Sequence, residues 1–171
     1  MLSISLQPPM SSAAHSKSAG DDLTRRRLQT EAFLTFARVH RLIEHRVAAL
    51  FVEEGLDVTP QQGNALMVMF QEKRPLTARA LAELMSVSEV TVGRFVKALE
   101  RDGWVTREED PTDARARLLQ PTRKAYRALP RFIRVSNALL DRAFVDFSEA
   151  DVRRVVVTGE RIRANLGEDC G

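Results

Sequence analysis

The sequence predicts a mainly α-helical protein with one small β-hairpin, and three observations lead to that expectation. Long stretches place apolar residues at threes and fours, the period of a helix with one buried side. Helix-start signatures recur, each a hydroxyl residue ahead of a short amphipathic run, at Thr59, Thr77, Ser88, Thr122 and Ser148. One segment, Trp104 to Gln120, breaks the helical period with two short strand-like runs around a Pro-x-Asp turn at Pro111 and Asp113.

The totals narrow the class. At 171 residues the chain is one compact domain, or one domain with a long dimerisation arm. Apolar residues make up 44%, enough for a core, and 29% are charged, a balance typical of helix-rich soluble proteins. A net charge of +3 permits nucleic-acid binding without demonstrating it. No apolar run approaches membrane-spanning length, and the N-terminus lacks the basic and apolar regions of a signal peptide. The single cysteine, Cys170, excludes an intrachain disulfide and fits a reducing, cytoplasmic home. Three scattered histidines and one cysteine show no metal-ligand spacing, and there is no phosphate loop or nucleophile with a paired base. Neither a cofactor nor catalysis is expected.

Residues 1–22, rich in serine with a Pro-Pro pair, read as a disordered tail. Residues 23–58 hold a long helix from Thr24 to Glu54, with Leu28, Ala32, Phe36, His40, Ile43, Val47 and Leu50 along one stripe and Gly55 ending it. So long an apolar face exceeds what this domain can cover, and a second copy of the chain is its natural partner. Thr59-Pro60-Gln61-Gln62 opens the next helix with threonine as N-cap, proline at N1 and glutamine at N3. It reaches about Glu72, and Gly63 weakens it slightly. Pro75-Leu76 is an extended link, and Thr77 caps a short helix with Leu81, Leu84 and Met85 inward.

Ser88 caps a second short helix in which Val92, Phe95, Val96 and Leu99 form the apolar stripe. Glu89, Thr91, Arg94 and Lys97 lie opposite, with Gly93 a low spot among them. Gly103 suits the left-handed position that ends it. Strands at Trp104 to Arg107 and Arg117 to Gln120 follow, so residues 59–121 make a helix-turn-helix with a β-wing, a winged helix suited to a DNA major groove. Residues 122–166 hold two further helices, the first interrupted or bent at Pro130, and complete a helical dimerisation lobe. Residues 167–171 are a flexible tail.

Several residues resemble the MarR family of transcriptional regulators: Val87-Ser88, Thr91-Val92, Arg94, Leu99-Glu100 and Gly103, then Asp110-Pro111 with Asp113 and Arg115 in the wing. The resemblance spans roughly residues 24 to 166. Ser86 stands where the family's turn usually holds glycine, Ala114 where a second wing arginine is common, and Pro121-Thr122 with Ala125 replace a Leu-Thr and a later glycine. The resemblance implies a homodimeric regulator, more often a repressor than an activator, bound to a pseudo-palindromic double-stranded DNA operator. It also implies release by a small aromatic or phenolic effector in a pocket bordered here by His40, Arg41, Met67, Phe70 and Phe132. Methionine and phenylalanine at helical spacing are also ordinary core residues.

The candidate DNA contacts are Ser88, Glu89, Thr91, Arg94, Lys97, Arg115 and Arg117. Arginine grips guanine through two parallel hydrogen bonds, and glutamate accepts from the cytosine amine. Arg115 resembles the family's wing arginine that enters the minor groove. The other reading of the same residues is a solvated helix face. Between Ser88 and Arg117, six bases face seven acids, so there is no basic patch. DNA binding therefore requires the acids at the wing base to pair internally and leave the outward cations available. The alternative function is a winged-helix protein-interaction module without sequence-specific DNA binding.

Overall fold

The computed structural model describes residues 13–110 and 116–167, with side chains from residue 21 onward. The expected turn at Pro111 and Asp113, Ala114, Arg115 and Cys170 lie outside the described residues. The elements are α1 (Ala13–Glu53), α2 (Pro60–Glu72), β1 (Leu76–Thr77), α3 (Ala78–Met85), α4 (Glu89–Arg101), β2 (Val105–Glu109), β3 (Arg117–Pro121), α5 (Arg123–Ala143) and α6 (Glu149–Gly167). The expected mainly helical fold with a small β-wing is what the chain adopts.

The chain divides into two units, residues 1–43 and residues 44–171. In the first, α1 starts at Ala13, upstream of the expected Thr24, so residues 13–22 are helical rather than tail. Extending an existing helix through a segment free of proline is far easier than nucleating one. Every side chain described from residue 21 to Ile43 is exposed, among them Leu28, Phe33 and Phe36.

The second unit has one core. It joins Leu50 and Phe51 at the end of α1, Leu66 and Met69 of α2, Leu81 of α3, Val92, Val96 and Leu99 of α4, Trp104, Leu119, and Ala125, Ala128, Phe132 and Val135 of α5. Packing therefore does not divide at residues 58 and 121, where the sequence suggested boundaries. The last turns of α1 and the first half of α5 share the winged-helix core.

Local chemistry sets the element ends. Thr59 Oγ1 accepts from Gln62 N while Gln62 Oε1 accepts from Thr59 N, a reciprocal cap that satisfies two amides at once. Thr77, Ser88 and Thr122 cap α3, α4 and α5 through the amides of Ala80, Thr91 and Ala125. At the C-terminus of α4, Gly103 takes φ +73°. Its amide bonds Glu100 O and the Trp104 amide bonds Leu99 O, and that turn drops Trp104 into the core.

Two expectations need correction. Leu76 is a strand residue rather than a link: β1 pairs antiparallel with β3, Leu76 opposite Leu119, giving the sheet order β1-β3-β2. Of the two outcomes expected at Pro130, interruption or a bend, the interruption does not occur, because α5 continues through it. Its ring removes one amide donor, and the carbonyl left over belongs to exposed Tyr126, where water can serve it.

Candidate nucleic-acid interface

A tight turn, Ser86 to Ser88, joins α3 to α4. Ser86 adopts φ 54° and ψ 43°, the left-handed region, and its amide and that of Val87 bond Glu83 O and Ala82 O. The turn sends α4 off with Val92, Val96 and Leu99 fully buried and Phe95 half-buried. The opposite side of α4 is therefore fixed outward, because a helix advances 100° per residue.

That outward side differs from the expected one. At this angular step Val90, Gly93, Arg94 and Lys97 share one strip, whereas Glu89 and Thr91 lie to either side of it. Arg94 and Lys97 are exposed and have no hydrogen-bond or ion-pair partner among the described residues. Glu89 is exposed as well. Ser88 and Thr91 are engaged locally: Ser88 Oγ accepts from the Thr91 amide at 3.2 Å, and the two hydroxyls lie 2.8 Å apart. Val90, absent from the expected set, is 69% exposed on the strip. Its spacing of four from Arg94 and seven from Lys97 was a readable signal, but an apolar residue is by default assigned to a core.

The acids are distributed as DNA binding would require. Glu109 pairs with Arg117 across β2 and β3 at 2.6 Å, in register with the strand pairing of the same two residues. Glu100 pairs with Arg107 at 2.9 Å. Asp102 takes two bonds from Arg101, which hold its carboxyl below the usual range against the opposing effect of burial. Glu108 accepts from Gln120. Arg117, expected to reach DNA, is thus already held by an acid of the neighbouring strand. Among the described residues from Ser88 to Arg117, the cations without an acid are Arg94 and Lys97 of α4.

The five residues expected to border an effector pocket do not share a unit. His40 and Arg41 are exposed in the first. In the second, Phe132 is 2% exposed, with its ring 5.6 Å from Phe51, 6.1 Å from Trp104 and 6.3 Å from Phe70. Met67 and Phe70 are half-buried against the same core. No group of histidine, cysteine or acidic residues with metal-binding geometry occurs among the described residues, and no described helix is long and apolar enough to cross a membrane.

A capped pair of short helices, the second with an outward cationic strip, followed by a two-stranded wing, defines a winged helix-turn-helix protein. Residues 56–116 match the MarR family, which supports a MarR-type winged-helix transcriptional regulator. Its similarity to an HTH-type transcriptional regulator, YybA of Bacillus subtilis (strain 168), is 25% identity over 114 residues, 67% of this chain and 75% of that one. Among solved structures, the transcriptional regulator SlyA shares the fold with a TM-score of 0.73 at 24% identity, covering 81% of this chain and 95% of that one. A MarR-family regulator of Listeria monocytogenes complexed with 26mer DNA has a TM-score of 0.71 at 20% identity, covering 80% and 89%.

Proposed function

We propose that the protein is a cytoplasmic homodimeric repressor in which two copies of α4 enter successive major grooves of a pseudo-palindromic operator. The observation that carries this reading is the state of the charges. Arg101, Arg107 and Arg117 are engaged by neighbouring acids, while Arg94 and Lys97 stand outward on one strip of α4. A nearly neutral segment thereby presents a cationic helix face. A DNA partner is supported by a structural relative of the same fold that is complexed with 26mer DNA.

The homodimer rests on surface that nothing in the described chain covers. α6 has no buried residue, and it exposes Val155, Val156 and Leu166. α1 exposes Leu28, Phe33 and Phe36. Helices with apolar residues so fully in water mark an interaction surface. A second copy supplies matching helices and the twofold symmetry an inverted repeat requires. Release by a small aromatic effector completes the proposal, acting by preferring the subunit spacing that misfits DNA.

Selection of bound duplexes from a random pool tests the whole reading. The expected product is an inverted repeat with half-site centres about 10 base pairs apart. Arg94→Ala is expected to weaken binding to it about 10- to 100-fold. An unenriched pool, or a stable monomer in solution, overturns the proposal; a protein-interaction module would keep its partner after Arg94→Ala and Arg115→Ala together.

A further inference from the structure

Two features of the outward strip of α4 have no explanation within the chain. Val90 is a β-branched apolar side chain, 69% exposed, in the first turn of a helix face otherwise made of charge. Gly93, one turn further on, has its backbone in ordinary helical geometry, and a Cβ built there meets nothing within 4 Å. A glycine inside a helix destabilises it by about 1 kcal/mol relative to alanine. Here no turn, positive φ or close neighbour offsets that loss. Scattered apolar residues on a surface are common. An apolar residue and an unexplained glycine three positions apart, beside Arg94 and Lys97, form instead a low apolar notch rimmed by cations.

We infer that Val90 and Gly93 seat the C5-methyl group of a pyrimidine in each operator half-site, with Gly93 letting the base edge approach the helix backbone. This rests on the reading that α4 enters the major groove. Bases there present hydrogen-bond donors and acceptors, and the one apolar feature is the methyl of thymine. Residues near the N-terminus of a recognition helix are the ones that reach base edges. Val90 occupies that position, and the hydroxyls of Ser88 and Thr91 beside it are already bonded to each other. Arg94, four residues on, would then read the adjoining base pair. 5-Methylcytosine offers the same methyl group, and the test separates the two sources.

Each thymine of the selected half-site is replaced in turn by uracil, which removes only the methyl. One position is expected to lose about 4-fold in affinity, the worth of one buried methyl, and Val90→Ala is expected to abolish that sensitivity. At the same position, cytosine and 5-methylcytosine are compared with thymine. Thymine is the natural source if its duplex stays tightest, and methylated cytosine if that duplex overtakes it. Gly93→Ala is expected to raise the unfolding midpoint by ~2–4 °C while weakening operator binding at least several-fold. A flat uracil scan on a tightly bound operator, or Gly93→Ala binding as well as the parent, overturns the inference. Failure to select any operator instead overturns the reading on which it rests.

Discussion

Three helices of the second unit carry a glycine away from their ends, Gly63 in α2, Gly93 in α4 and Gly159 in α6, and the first two lie in opposite surroundings. In α2, a Cβ at Gly63 would fall 2.4 Å from Phe51 Cζ and 2.6 Å from its Cε2, and 3.5 Å from Phe132 Cε1. In α4, a Cβ at Gly93 meets nothing within 4 Å. The backbone penalty is the same for both. At Gly63 it is offset inside the chain, because the Phe51 ring lies directly on α2 and packs edge-on to Phe132, with centroids 5.6 Å apart. At Gly93 any offset has to come from outside the chain. One glycine therefore reports on packing, and the other points to a partner.

The sharpest way to break this contrast is Gly63→Ala. An added methyl has to displace a buried ring, so a loss of about 1–3 kcal/mol is expected, measured by urea or thermal unfolding. Phe51→Leu in the same background should recover part of it, because a smaller side chain frees the space. Equal stability of Gly63→Ala and the parent would show that α1 and α2 have room to separate, and the contrast with Gly93 would collapse.

Ser86 supplies a third case with the relation reversed. Its backbone is left-handed, φ 54°, yet it carries a side chain. Ser86→Gly is expected to stabilise the protein by about 1 kcal/mol, since it removes the clash between Cβ and the backbone. The gain would be read as a rise in the unfolding midpoint. A neutral or destabilising result would mean that the serine side chain compensates locally.

The sequence made the capped helix starts legible because a cap is chemistry between residues three apart. Thr59, Thr77, Ser88, Thr122 and Ser148 all act as expected. β1 was not legible: two residues make no periodic pattern, and their partner, β3, lies some forty positions on. The pairing of Glu109 with Arg117 likewise depends on strand register, so charge counting could not see it. Within the candidate site, Arg94 and Lys97 were readable from type and spacing. Val90 and Gly93 were not, because neither residue type signals a polar contact. Only the exposure of Val90 and the empty surroundings of Gly93 bring them forward.

Acid offers the mildest way to act on the packed side alone. Near Phe51, Glu54 receives three bonds from Arg134 of α5, Nε to Oε1 at 3.1 Å and to Oε2 at 3.2 Å, and Nη2 to Oε2 at 2.6 Å. Those bonds are the main reason its carboxyl titrates below the usual glutamate range; partial burial opposes them, and the charges of Arg134 and Arg131 add to them. A carboxylate with a depressed folded-state pKa contributes stability that is complete above its unfolded value and lost as pH falls through the folded one. The stability gap between the parent and Glu54→Gln should therefore narrow steadily from about pH 6 to about pH 3. Both partners are solvent-accessible, so the effect should be the smallest of the set, and salt should reduce it. A gap that stays constant with pH would show that Glu54 acts through packing rather than charge. Because the pair joins the end of α1 to α5 beside the Phe51–Gly63 contact, acid should also reduce the penalty of Gly63→Ala and leave the gain from Gly93→Ala unchanged.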